Sequence, residues 1–358
     1  MRRILHRIAF VAAALAATIS AKGQDLSFSQ TYESPLYLSP SFTGLTNGSR
    51  VALNYRNQWP GIGSVYRGYA LGLDHYFDRF NSGVGLLWVR DDEGKGLLVQ
   101  DEISLLYSYE IGITSDLFVR PGLAFKYGQR KIDTGKMSSF QDISADGNVG
   151  TGGSGIEFER TSTGWVDAAF AVMIYNNDFW FGVSIDHLMQ PNSSLTDVEN
   201  EIGMKTTVYG GYKWTYEDSY RGSEPKSISF AVNYKRQYQF NQLELGAFWY
   251  YNPIELGVKY RGLFFETGGE LNNTDAIIPS IGVNINALRI GYSYDMTLSD
   301  LSSFGDGAHE VSLVYRIIPK AVKRGYKMKP VPCTEPIMGY SYTGKQSSSR
   351  SSRKFFKR

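Results

Sequence analysis

Chemistry in this chain would have to come from four histidines, one cysteine and a few clusters of carboxylates. His6, His75, His187 and His309 never fall at metal-ligand spacing, and Cys333 is remote from all of them. Some membrane barrels are hydrolases that use a His with Ser or Asp at the rim, and Asp186-His187 is the nearest candidate pair. Neighbours along a strand point to opposite faces, so these two are not expected to meet. Gly150-Thr151-Gly152-Gly153-Ser154-Gly155 has the form GxGxxG, but no buried strand precedes it and no amphipathic helix follows, so a loop is expected. Asp142 to Asn148 and Asp91-Asp92-Glu93 group acids without the EF-hand spacing and its distal Glu, and read as solvated loop carboxylates. No enzyme activity, cofactor or metal is expected from these residues.

The elements that would carry them begin with a leader. Arg2, Arg3 and Arg7 precede an apolar stretch from Ile8 to Ile19, too short to span a bilayer. Ala21-Lys22-Gly23 then offers small residues where a signal peptidase needs them, so residues 1–23 read as a cleaved signal and Gln24 as the mature start. No lipobox Cys follows, and an exported chain does not meet nucleic acid.

Downstream there is no run of about 20 apolar residues, the length of a membrane helix. The stretch from Trp165 to Tyr175 is interrupted by Asp167, and mean hydropathy is −0.27. Tyr 25, Phe 20 and Gly 38 nevertheless give an aromatic, glycine-rich profile that suits a transmembrane barrel. One cysteine cannot form an internal disulfide, so closure of a hydrogen-bonded sheet must hold the fold.

Alternation supports that reading. Ile103, Leu105, Tyr107, Tyr109 and Ile111 alternate with Ser104, Ser108 and Glu110. The same period of two recurs from Ile228 to Tyr234, from Leu288 to Tyr294 and from Val311 to Ile317. A membrane barrel turns its apolar face to lipid and its polar face to the lumen, and tyrosines at strand ends fit an interfacial girdle. We expect an all-β, transmembrane, antiparallel up-and-down β-barrel of about 14 strands over residues 50–318. Its strands fall near 50–59, 64–76, 82–90, 98–112, 116–130, 164–176, 178–188, 203–217, 226–238, 240–251, 253–261, 277–285, 287–297 and 308–318. Short turns such as Asn176-Asn177-Asp178 alternate with loops at 131–163, 189–202, 262–276 and 298–307, the outer-membrane arrangement.

Two segments are expected outside the barrel. Residues 24–49, with Ser34-Pro35 and Ser39-Pro40, read as extended. Residues 319–358 read as a flexible tail on the periplasmic side. From Lys320 onward this tail carries a net +10, against −12 for residues 24–319. Anionic headgroups, cell-wall carboxylates or an acidic protein would suit it.

Phe28-Ser29-Gln30, the run from Ser34 to Gly44, Arg50, and Tyr55-Arg56-Asn57-Gln58-Trp59-Pro60 stand near the start of the mature chain. Tyr292-Ser293-Tyr294-Asp295 and the run from Gly307 to Leu313 stand near its end. Over residues 24–318 the chain resembles the PorP/SprF family of type IX secretion system membrane proteins. The resemblance implies an outer-membrane barrel that supports export or surface attachment of secreted proteins, including gliding adhesins. Its implied partners are other secretion components, the secreted substrates and outer-membrane lipid. Among the matching residues, Asn57, Gln58, Trp59 and Pro60 are expected to close the first strand, with Trp59 at the membrane interface. Asp295 and Glu310 are expected on adjacent strands facing the lumen, paired with Arg289 or Arg316. The competing reading is an outer-membrane porin or solute uptake channel.

Overall fold

The computed structural model describes residues 24–46, 48–61, 66–136, 160–196, 199–217, 226–262, 274–298 and 307–317. The leader, the 142–148 and 150–155 motifs, Cys333 and the basic tail lie outside them.

Fourteen strands form one closed antiparallel barrel. They are β1 (Ser49–Gln58), β2 (Tyr66–Phe77), β3 (Ser82–Glu93), β4 (Leu98–Tyr109), β5 (Phe118–Ile132), β6 (Ser162–Tyr175) and β7 (Phe179–Asp186). The second half comprises β8 (Lys205–Glu217), β9 (Lys226–Gln237), β10 (Phe240–Tyr251), β11 (Ile254–Gly262), β12 (Thr274–Ile285), β13 (Leu288–Thr297) and β14 (Ala308–Ile317). Past Glu110, β4 resumes briefly as Ile111–Gly112. Each strand pairs with the next, and β14 returns to β1 in register from Ser49 opposite Ile317 to Gln58 opposite Ala308. Closure leaves no sheet edge to aggregate or to sit unsatisfied in lipid.

The two faces are inverted relative to a soluble barrel. Leu105 is 62% exposed and Phe125 66%, whereas Ser108, Glu310 and Ser312 are 0% exposed. The apolar half of each alternation therefore points outward and the polar half lines the lumen, as a lipid-embedded barrel requires. At one end the connections are tight: 176–178 between β6 and β7, 252–253 between β10 and β11, and 286–287 between β12 and β13. In the first, the Asn176 side-chain oxygen accepts the N–H groups of Asp178 (2.8 Å) and Phe179 (2.7 Å). The strand ends on either side of 133–161, 187–204, 263–273 and 298–307 lie at the opposite end.

Residues 24–46 correct the sequence reading. They lie inside the barrel, not outside it, and they are not uniformly extended. Phe28, Ser29, Ser41, Phe42 and Thr43 are each 1% exposed or less. Pro35–Leu38 forms a helical turn and Pro40–Phe42 a 3-10 turn. The two prolines sit at the first helical position, where a missing N–H costs nothing, while Ser34 and Ser39 before them keep non-helical backbone. The segment starts at the long-loop end, beside Lys205 and Gln237, and leaves at the short-turn end, where β1 begins.

Candidate functional site: a segment threaded through the lumen

The segment is held at four levels. At the centre of its upper part, Glu310 on β14 accepts the backbone N–H of Ser29 (2.6 Å) and of Gln30 (2.9 Å), one with each carboxylate oxygen. The Ser29 hydroxyl donates to Asp295 on β13 (2.7 Å) and accepts from Arg56 on β1 (2.6 Å) and Arg261 on β11 (2.7 Å). Both guanidinium groups also reach Asp295 at 2.8 Å. The Gln30 amide closes the set, donating to the Glu310 carbonyl (2.9 Å) and accepting from Ser312 (2.6 Å). Charge-assisted bonds of this kind contribute about 1.5–3 kcal/mol each, and their burial makes an unpaired partner costly.

Lower down, Glu33 takes Arg289 of β13 at 2.7 Å, and Arg289 bridges on to Glu255 of β11 at 2.9 Å. At the short-turn end, Asp74 on β2 holds Arg50 of β1 through two bonds (2.8 and 3.1 Å) and accepts the N–H of Gly44 (2.6 Å). Ser108 on β4 donates to the Thr43 carbonyl (2.7 Å). Here backbone presses on backbone. A Cβ on Gly83 would lie 2.2 Å from the Thr43 oxygen, and one on Gly122 would lie 2.5 Å from the Pro40 carbonyl carbon. Only glycine leaves room for that approach.

At the long-loop end lies a chain of buried charges. Asp25 contacts Lys205 of β8 and His187 (2.9 Å to Nε2), and its Oδ1 accepts from Gln237 (3.0 Å). Asp186 and Glu102 share Lys126, each at 2.9 Å. His187 follows β7 with φ 55°, and this left-handed turn brings its ring back to the lumenal side. The expectation that Asp186 and His187 stay apart therefore fails, because the strand stops between them. The backbone N–H of His187 donates to the Asp186 carboxylate at 2.8 Å. Burial disfavours a charged imidazole, but the charges of Asp25 and Asp186 and the hydrogen bonds the ring donates to Asp167 and Asp25 push it up to about 10.

Asp25, Asp186 and His187 bring ligand atoms within 4.8 Å of one another, as a metal site would. Lys205 and Lys126 already balance these carboxylates, so an added cation would have to displace them. Nor is His187 a general base: Nδ1 is taken by Asp167 (2.5 Å) and Nε2 by Asp25 (2.9 Å).

The residues singled out from sequence divide cleanly. Asp295 and Glu310 face the lumen on adjacent strands, and their partners are Arg56, Arg261, the Ser29 hydroxyl and the Ser29–Gln30 backbone, not Arg289 or Arg316. Gln58 closes β1 and accepts from Arg56 at 3.4 Å. Asn57 sits beside His309 in the ladder, on the outward face. Trp59 turns left-handed (φ 53°) just past the strand and donates its N–H to Gly307 (2.8 Å), and Pro60 follows, exposed. Sequence reasoning missed Arg56, Arg261, Ser29 and Gln30 as a unit, though Ser29, Gln30, Arg56, Asp295 and Glu310 all lie in the segments that carry the family resemblance. It also placed Asp91-Asp92-Glu93 in a loop, whereas β3 runs through Glu93. A polar lumen lets acids continue the inward face of a strand.

The family described as "Type IX secretion system membrane protein PorP/SprF" matches residues 20–315. No curated protein matches. Among solved structures, the Pseudomonas putida toluene transporter TodX is similar at 9% identity and a TM-score of 0.44, over 82% of this chain and 94% of that one. Omp33 of Acinetobacter baumannii is similar at 8% identity and a TM-score of 0.39, over 76% of this chain and 100% of its own.

Proposed function

The chain belongs to the PorP/SprF family of type IX secretion system membrane proteins, an outer-membrane barrel, and on that premise we propose that it serves export or surface attachment of secreted proteins as a docking component. In this reading it works through partner proteins, neither as an open conduit nor as a catalyst. The observation that carries it is the occupied lumen. Residues 24–46 thread the barrel from end to end and are fixed to the wall at Glu310, Asp295, Arg289 and Asp74. A solute would have to displace several buried charge-assisted contacts to pass. That leaves the rims and the outer wall as the working surfaces, and it supports secretion duty over the porin alternative.

The partners in this reading are other components of the secretion machine, secreted substrates (gliding adhesins among them) and the surrounding lipid. In this reading the basic tail is periplasmic, which the end of β14 beside the start of β1 at the short-turn end supports. Deleting the gene and comparing surface, periplasmic and medium proteomes, with uptake of a small hydrophilic dye measured in parallel, tests the proposal. Substrates stranded in the periplasm or degraded, with dye uptake unchanged, are expected. An unchanged surface proteome with altered dye uptake would replace this reading with the channel.

A further inference from the structure

Closure of the sheet removes its edges only where neighbouring strands run side by side. β6 has 14 residues and β8 has 13, but β7 between them has 8. The ladder between β6 and β7 stops at Phe170 opposite Ile185, while on its other side β6 stays paired with β5 up to Ser162 opposite Lys131. At the long-loop end the barrel rim therefore drops in a step, and residues 162–167 of β6 form its upright side.

Backbone bonds fix which groups point into the step. The Ile132 N–H donates to the Thr161 carbonyl (3.0 Å), so odd-numbered residues here face β5. The Leu188 N–H donates to the Ala168 carbonyl (3.0 Å), so even-numbered ones face the step. The N–H and C=O groups of Ser162, Gly164 and Val166 therefore point into it, and among the described residues they have no partner. Their height decides what can reach them. Trp88, Ile103, Tyr127 and Val166 stand side by side across β3 to β6, facing outward, an aromatic and apolar row of the kind found at a membrane interface. Two residues nearer the rim come Arg90, Asp101, Gln129 and Gly164, a polar row. The edge thus rises from the interface into water. From Ser162 to Asp167 it carries no Pro, no Lys and no bulge, the devices that blunt such edges.

We propose that this edge of β6 is a strand-addition site, which takes an extended segment of another polypeptide in the row that β7 leaves unfilled. Alternating donors and acceptors at strand spacing match a polypeptide backbone, not a lipid or a small solute. A second copy of this chain does not fit. Two barrels in one membrane are related by an axis along its normal, and edge strands tilted by about 35–45° would then cross at about 70–90°. Side chains set the composition of the guest. Val166, Leu188 and Met189 are 60, 40 and 59% exposed and call for apolar neighbours at the lower end. Lys131 and Arg160 are exposed without an ion pair among the described residues, so they favour an acid at the upper end. The inference rests on the docking reading only for the source of the strand, a protein at the cell surface.

The test uses the purified barrel in detergent, with hydrogen exchange resolved to single amides. Exchange at Ser162, Gly164 and Val166 should be fast in the protein alone. A capped synthetic peptide of alternating Val and Thr ending in Glu should slow it by about tenfold or more. The same peptide N-methylated at every residue keeps its side chains but has no donors, and should not protect. Val166→Pro removes an N–H that faces the step and spares the ladder with β5, so heat-modifiable migration should persist while peptide affinity falls about tenfold or more. Val166→Thr keeps the N–H and should keep the binding. Ser162→Pro carries the comparison if Val166→Pro does not form the barrel. Slow exchange in the protein alone, no protection by the peptide, equal protection by its N-methylated form, or binding indifferent to proline would each overturn the proposal. Any of these results would leave the docking reading standing, since gene deletion tests that separately.

Discussion

Glu310, on the last strand of the barrel, accepts the backbone N–H of Ser29 at 2.6 Å across 281 residues of sequence. This contact joins the beginning of the chain to the end of the sheet, and it can form only when β14 is in place. Replacing Glu310 by Ala removes both amide acceptors and one of the two carboxylates that hold Arg56. Leaving the Ser29 and Gln30 N–H groups buried without an acceptor is expected to cost about 1–3 kcal/mol each. The variant barrel should still show heat-modifiable migration, while residues 24–46 become sensitive to protease in detergent. Unchanged protease resistance would show that Glu310 is not what holds the segment.

The glycine notches make a separate prediction. Gly122→Val places a branched side chain where the Pro40 carbonyl carbon lies 2.5 Å from the position of a Cβ. Backbone cannot yield as a flexible side chain can, so the lumenal segment must move or the barrel must distort. The expected outcome is a lowered unfolding temperature on heat-shift gels with new protease cuts between Pro40 and Thr46. A variant as stable and as protected as wild type would contradict the packing.

His187 gives the pH dependence its sign. Its folded value is pushed up to about 10, above the ordinary histidine value near 6.5. The network therefore contributes its full stability below about pH 6.5, and that contribution is lost as pH rises through about 10. Heat-shift midpoints followed from about pH 6 to about pH 11 should fall more steeply for wild type than for His187→Gln. Parallel curves would mean that the imidazole is not charged in the fold.

Much of this architecture was legible in the sequence. Strict alternation, as in Ile103 to Ile111, marks a strand by itself, and the fourteen segments read this way match the fourteen strands found. The lumenal segment was not legible, because no period betrays it. Leu26, Phe28, Leu36, Leu38 and Phe42 are spread among Ser, Gln and Glu, and such a mixture resembles a linker until a polar lumen is present to receive it. Asp295 and Glu310 could be placed on the inward face from the pleat. Their partners could not, since Arg56, Arg261 and Ser29 meet only through the circumference of a closed sheet. His187 was misplaced for a local reason: the pleat rule applies within a strand, and β7 ends at Asp186.

The proposed periplasmic side of the basic tail yields a topological prediction. Protease added to intact cells should spare residues 319–358 and should remove them once the outer membrane is permeabilised. Cleavage in intact cells would invert the barrel.

The account rests most heavily on a lumen closed by its own chain, and conductance measures that directly. Purified protein inserted into planar lipid bilayers should be electrically silent at moderate voltage. The Arg56→Ala, Asp295→Ala double variant, which takes two partners from Ser29, should show intermittent conductance steps. Stable, open-channel steps from the wild-type protein would contradict the account and favour a porin.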